Sequence, residues 1–387
     1  MRIAQVIATF PPYHGGMGYV CYHNSLELAQ RGHEVTIFTL DHDRLIYNED
    51  PGNFKIVRLR TPLKYGDGGM VPQLTWYLKN FDVVHVHYPF FGGAEYVYLA
   101  AVLRRIRYFL TYHMDVWGNT FLKKILLGVY EPFLSKRIIQ RAEVIGALSL
   151  EHLQSSKVSR FIDWTKVIEL PNGVDTNLFR PRAKDQLLVK QYGLRDKTVI
   201  LFVGNLQPFK GLHLLINAIA QIKKQNIVLL VIGGSYGEEK YRAQVRELNL
   251  EEHVIFTGPQ SPKEFLPAYY NLGDFLVLPS THSEAFPLVV LEAMASGIPV
   301  IVSDLPGPSS MIDQGRNGLI VRTGDPLDLV YSIEMLVKDV DMRRKMGATA
   351  RDKVLGSYRW EKIGDCLEAI FKKIHETHPR SNSENII

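Results

Sequence analysis

Short apolar runs recur along the chain, separated by stretches in which apolar residues return every three or four positions. The runs read as buried strands of parallel sheet and the stretches between them as helices. The first half holds "RIAQVIATF", "EVTIFTL", "FKIVRL", "DVVHVHYP", "RYFLTYH" and "VIEL". The second holds "TVILFVG", "IVLLVIGG", "HVIFTG", "DFLVLP", "IPVIVS" and "GLIV". This alternation predicts an α/β protein of two doubly wound, Rossmann-like domains. "PNGVDTNLFRP", with Pro171, Asn172, Gly173 and Pro181, reads as a turn-rich exit from the first domain. The expected division is therefore residues 1–172, a linker over 173–185, and a second domain over 186–357. From Tyr358, "YRWEKIGDCLEAIFKKIHE" predicts an amphipathic helix over 358–376, with Trp360, Ile363, Leu367, Ile370, Phe371 and Ile374 on one side. The tail after it is polar and expected to fray.

Composition narrows the class. A chain of 387 residues suits two domains, and 46% apolar with 22% charged residues is ordinary for a soluble protein. "MRIAQVIATFPP" does not read as a signal peptide, and no apolar run reaches the ~20 residues of a membrane helix. Cys21 and Cys366 form no framework or metal pattern. A cytoplasmic location is expected. The net charge of +5 matters through its placement. Between Leu103 and Arg141, the basic Arg104, Arg105, Arg107, Lys123, Lys124, Lys136, Arg137 and Arg141 face only Asp115 and Glu131. They are interleaved with apolar residues, as on a surface that meets anionic lipid. A solvated helix face is the plainer reading. No nucleic-acid motif accompanies the charge.

The most informative segment is "STHSEAFPLVVLEAMASGIPV", from Ser280 to Val300. It lies between two strand-like runs and reads as loop and helix, with Phe286-Pro287 expected to open the helix and Gly297 to close it. The backbone N–H groups around Phe286, Pro287, Leu288 and Val289, with the helix dipole, make an anion site suited to phosphate. Glu284 and Glu292 flank it, and carboxylates grip hydroxyls such as those of a sugar or ribose. Diphosphate between two hydroxyl-rich groups describes a nucleotide sugar.

The Glu, seven residues, Glu spacing in this segment resembles the signature of the retaining glycosyltransferases of family 4, of GT-B fold. The resemblance covers nearly the whole chain. It implies two Rossmann-like domains facing across a cleft, with the last helix returning to the first domain. It implies that Glu284 contacts the transferred sugar and Glu292 the nucleotide ribose. The family has Phe-Gly where this chain has Phe286-Pro287.

Four further motifs carry candidate chemistry. In "FVGNLQPFKGL", Lys210 reads as a point charge over the donor phosphate. Asn205 stands where the family has an arginine, so Lys210 carries the neutralisation with less help. In "GGMG", Gly15 and Gly16 let backbone approach a ligand; the resemblance assigns them to the donor. The turn also suits a dinucleotide, with Asp41 on the ribose, but Cys21 replaces the third glycine. In "LTYHMDVWG", His113 follows a strand, and the resemblance puts it beside the donor sugar as a protonatable group. Asp115 is expected to orient it or to meet the acceptor. His85 and His87 alternate on one strand without an obvious third metal ligand, and His87 is given a structural or acceptor-side role. Asp41 to Asp43 has the Asp-x-Asp spacing of metal-dependent transferases, but the GT-B reading needs no metal and no other cofactor.

The expected activity is transfer of a hexose from a nucleotide sugar to a saccharide or lipid-linked acceptor, with retention of configuration. A nucleotide-sugar epimerase of the same fold, a non-catalytic partner subunit and a nicotinamide-dependent dehydrogenase stay open as alternatives.

Overall fold

The computed structural model describes residues 1–12, 15–42, 53–116, 120–222, 226–234, 237–260, 265–282 and 284–377. Asp43, Trp117, Gly118 and the tail from position 378 lie outside the described residues. The chain forms two compact units: Met1–Asn172 together with the segment from Trp360, and Gly173–Arg359.

The strands of the first unit are β1 (Arg2–Val6), β2 (Glu34–Leu40), β3 (Lys55–Leu59), β4 (Lys64–Tyr65), β5 (Gly68–Gly69), β6 (Val83–Tyr88), β7 (Tyr108–Tyr112), β8 (Val144–Ala147) and β9 (Val167–Glu169). β4 and β5 pair with each other, antiparallel. The other seven make a parallel sheet in the order β3-β2-β1-β6-β7-β8-β9. Every residue of β6 and β7 is buried, as expected of strands covered on both faces. β8 was not expected from the hydrophobic pattern, because "VIGA" is four residues long and includes a glycine.

In the second unit β10 (Thr198–Val203), β11 (Ile227–Ile232), β12 (Val254–Gly258), β13 (Phe275–Leu278), β14 (Val300–Ser303) and β15 (Gly318–Val321) form a parallel sheet. Its order is β12-β11-β10-β13-β14-β15. All six runs read from the second half are strands.

Each order reverses beside the sheet's first strand, between β1 and β6 and between β10 and β13. There the loops leaving the C-terminal strand ends diverge, and open α/β sheets bind ligands in the crevice so formed.

Helices cover the sheets with apolar stripes. Leu212–Ile222 buries Leu212, Leu215, Ile216, Ile219 and Ile222 on one face. The helix Trp360–Glu376 belongs to the first unit and buries Trp360, Ile363, Leu367, Phe371 and Ile374. At about 2 kcal/mol per buried large side chain, this stripe outweighs the polar contacts beside it. Those contacts set its position along the helix Gly16–Gln30: Arg31 pairs with Asp365 at 2.7 Å, His33 with Glu368 at 3.1 Å, and Trp360 stacks on His23 at 4.8 Å. Among the described residues no helix is long and apolar enough to cross a membrane.

Candidate functional site

In the second unit, the reversal between β10 and β13 brings together two residues that lie 74 positions apart. The loop after β10 turns through Pro208–Lys210, and Gly211 (φ 74°) redirects the chain into the next helix. A Cβ on Gly211 would stand 2.0 Å from the carbonyl oxygen of Pro279, so only glycine lets this helix start against the end of β13. The loop after β13 is tied back by Thr281, whose N–H donates to the Phe209 carbonyl at 2.7 Å. Lys210 Nζ then meets Glu284 Oε1 at 2.5 Å. Ser280 donates to the same oxygen at 3.3 Å. Both charged side chains are largely shielded from solvent, so neither can lose its partner cheaply. The pattern placed Lys210 and Glu284 in one site but not in contact. Asn205 is exposed on the first of these loops.

The helix after Glu284 starts later than the pattern implied. It spans Leu288–Ala295, with Pro287 as the extended residue before it (ψ 116°). Phe286 is buried and packs its ring against Tyr358 at 5.7 Å, which draws the preceding turn into the core. Pro287 has no N–H, and Val290 donates to the Pro287 carbonyl at 3.1 Å. The backbone donors at this helix start are thus Leu288 and Val289, and the expected contribution of Phe286 and Pro287 is corrected accordingly.

Glu292 is 5% exposed, and Tyr270 donates to its Oε2 at 2.6 Å. Burial and the adjacent carboxylate push the Tyr270 phenol well above its usual range. No sequence signal marked Tyr270, which reaches Glu292 from a separate helix.

In the first unit, Gly15 precedes the helix Gly16–Gln30 in extended conformation, with no side-chain cap and no acidic residue in the first turn. Gly15 and Gly16 are exposed, whereas Gly18 is buried. A Cβ on Gly18 would come within 2.8 Å of the Thr9 carbonyl oxygen. Gly18 therefore allows the helix to approach the loop after β1, a role the pattern did not single out.

His113 follows β7 and is buried. Its Nε2 shares a hydrogen bond with His87 Nδ1 at 2.9 Å, and His87 Nε2 reaches Gln5 Oε1 at 2.9 Å. His85 lies beside His87, its ring centroid 4.2 Å away, and bonds Thr111 at 2.8 Å. Burial pushes His113 down to about 3 and both other rings well below the usual imidazole range. Two expectations are corrected. His113 is neutral at ordinary pH, so it does not act as a cation. His87 is completely buried with both ring nitrogens engaged, so it cannot meet an acceptor. Among the described residues, no three His, Cys, Asp or Glu side chains form a metal-binding group.

Asp115 does not orient His113. It accepts from the Tyr112 hydroxyl at 2.5 Å and from the Lys157 N–H at 3.3 Å. It lines a small cavity with Tyr88, Phe91, Tyr112, Tyr130 and Glu131.

The basic region divides into held and exposed charges. Arg104 stacks over Trp76 at 4.2 Å and Arg107 pairs with Glu143 at 3.5 Å. Lys124, Lys136 and Arg137 are exposed. Beside them Phe121, Ile125, Val129 and Phe133 stand four residues apart, exposed by 81%, 48%, 58% and 58%.

Two parallel sheets of this order, each reversing beside its first strand, are the two Rossmann-like units of the GT-B fold. The family model "Glycosyltransferase Family 4" matches residues 14–178, and "Glycosyl transferases group 1" matches residues 185–353. The chain belongs to the glycosyltransferases of family 4 and is a transferase of GT-B fold. It is 27% identical to D-inositol 3-phosphate glycosyltransferase of Nocardia farcinica, over 94% of this chain and 86% of that one. It is 28% identical to N-acetyl-alpha-D-glucosaminyl L-malate synthase of Bacillus anthracis, over 96% and 97% of the two chains. Among solved structures, HepE of Anabaena in complex with UDP superposes with a TM-score of 0.81 at 19% identity, covering 96% of this chain and 100% of that one. Sucrose-phosphate synthase of Thermosynechococcus elongatus gives 0.79 at 24%, covering 97% and 100%. At these identities the structures speak to fold alone.

Proposed function

We propose that this transferase takes a hexose from a nucleoside diphosphate sugar, without a divalent metal, and passes it with retention of configuration to a saccharide or lipid-linked acceptor. The observation that carries this reading is the Lys210–Glu284 pair at the reversal of the second sheet. A diphosphate entering there competes with Glu284 for Lys210. Once exchanged, Lys210 neutralises phosphate, and the freed Glu284 carboxylate accepts hydrogen bonds from sugar hydroxyls. The N–H groups of Leu288 and Val289 add donors at the helix start, and Glu292 holds the ribose. Complexes of Anabaena HepE with UDP and with UDP-glucose support a donor of this class.

In the reaction the bond from the anomeric carbon to the phosphate oxygen breaks through an oxocarbenium-like state. The acceptor oxygen forms its bond on the same face, and its proton passes to the leaving phosphate. Lys210 and the backbone donors stabilise the charge on that leaving group, the task a metal performs elsewhere. Gly15 and Gly16 supply backbone donors at the first unit's own reversal.

A lipid-linked acceptor is favoured by the exposed stripe of Phe121, Ile125, Val129 and Phe133 beside Lys124, Lys136 and Arg137. Such a face suits an anionic membrane surface.

Calorimetric titration with UDP, GDP and ADP, with and without magnesium, tests the donor reading. Binding of one nucleotide, unchanged without magnesium, is expected. Binding only with magnesium would contradict the metal-free mechanism, and binding of NADH alone would overturn the donor class.

A further inference from the structure

A line of buried side chains in the first unit is left unused by the chemistry above. Gln5 lies on β1, His87 on β6 and His113 just past β7, and two hydrogen bonds of 2.9 Å join them in that order. Gln5 and His87 are wholly buried and His113 is 3% exposed. The direction of each bond follows from the end of the line. Gln5 turns its carbonyl oxygen to His87 and leaves its own Nε2 without a partner; in this amide orientation the oxygen only accepts, so His87 carries its hydrogen on Nε2. A neutral imidazole has one hydrogen, so His87 Nδ1 accepts. The hydrogen in the next bond then belongs to His113 Nε2. His113 Nδ1 is left as a bare lone pair, with no protein partner among the described residues.

Resting on the reading of His113 as a sugar-side residue, we propose that Gln5 and His87 are positioning residues that fix the His113 ring and present its Nδ1 as a hydrogen-bond acceptor for a substrate hydroxyl. The lone pair recognises a donor. A hydroxyl of a sugar or polyol satisfies it; a phosphate or carbonyl oxygen does not. The rings are neutral because they are buried, so the lone pair persists through the ordinary pH range. The neighbouring His85 bonds Thr111 instead and stands outside the line.

Nitrogen-15 spectra of histidine-labelled full-length protein test the proposal without substrate. The expected result is a protonated Nε2 and an unprotonated Nδ1 on both His87 and His113. Protonated Nδ1 on both would reverse every bond in the line and overturn the proposal. In Gln5→Met the two rings should lose their single tautomer. With UDP-glucose as donor, UDP release should then show kcat lowered roughly tenfold or more, with KM changed much less. Thr111→Val removes a buried hydrogen bond outside the line and should leave the tautomers and kcat near wild type. An equal loss in Thr111→Val would reduce Gln5 to a packing role and overturn its positioning role. If His113→Ala releases UDP at the wild-type rate, His113 is not a sugar-side residue and the proposal falls with that reading. If wild type releases no UDP from UDP-glucose, the donor choice fails, and the line is decided by the ring-nitrogen spectra alone.

Discussion

Both units reverse their main sheet beside its first strand and differ in what they hold at that reversal. The second unit places a lysine and a glutamate 2.5 Å apart between the loops after β10 and β13, with Glu292 buried on the helix beyond. The first unit holds neutral imidazoles and an amide, all buried, beside β1, β6 and β7. The sheet order decides where a ligand can be met, and the side chains at the loop ends decide what kind. Charge that can be exchanged suits a diphosphate. Neutral acceptors suit hydroxyls.

The comparison is broken most severely by removing the exchangeable cation. Lys210→Ala should lower kcat/KM by about a hundred- to a thousandfold, the range seen when one donor to a developing anion is lost. A rate near wild type in steady-state assays would show that the second unit does not depend on its charge.

Acid should separate the two units. The buried histidines among the described residues, His42, His85, His87, His113 and His152, all lie in the first unit. Burial lowers each of them in the folded state. The unfolded chain takes up protons near 6.5, whereas folded His113 does so only at about 3. Below 6.5 the unfolded state therefore binds more protons, and stability falls as pH falls, by up to about 1.4 kcal/mol per pH unit for each neutral ring. The tryptophans among the described residues, Trp76, Trp164 and Trp360, also all belong to the first unit, and the second unit's span of the sequence, Gly173–Arg359, contains no tryptophan. On acidification, tryptophan fluorescence should change at a higher pH than circular dichroism, which reports both units. Coincident transitions would contradict the difference.

Smaller effects sharpen it. Gly18→Ala should destabilise the first unit by about 1–3 kcal/mol, because its Cβ would press on the backbone at Thr9. Gly128→Ala, in the open on a helix, should stabilise by about 0.5–1 kcal/mol. Fluorescence-monitored denaturation measures both. Tyr270→Phe removes the 2.6 Å hydrogen bond to the buried Glu292 carboxylate and should cost about 1 kcal/mol or somewhat more in the second unit. Circular dichroism should show the loss while tryptophan fluorescence does not.

Much of this was legible in the chain and some was not, for physical reasons. The alternation of strand and helix could be read because the central strands, such as β6, β7 and β11, are buried on both faces. Lys210, Glu284 and Glu292 could be read because their loops and helix carry a spaced pattern. The helix start was misplaced because Phe286 is drawn into the core by Tyr358, a contact across 72 positions that no local pattern contains. The bond between His87 and His113 crosses two strands, and the bond from Tyr270 to Glu292 crosses two helices. The acceptor-side role expected of His87 and the orienting role expected of Asp115 failed for the same reason: their partners, Gln5, Tyr112 and Lys157, were not visible as partners until the sheet had formed.

The central claim is that Glu284 and the donor phosphate compete for Lys210. The most direct test is calorimetric binding of UDP to wild type and to Glu284→Gln. UDP lacks the transferred hexose, so the contacts proposed between Glu284 and that hexose do not enter. The account predicts tighter binding to Glu284→Gln, because Lys210 is already free to meet the phosphate. Unchanged or weaker binding would show that the pair does not open for the nucleotide, and would contradict the account.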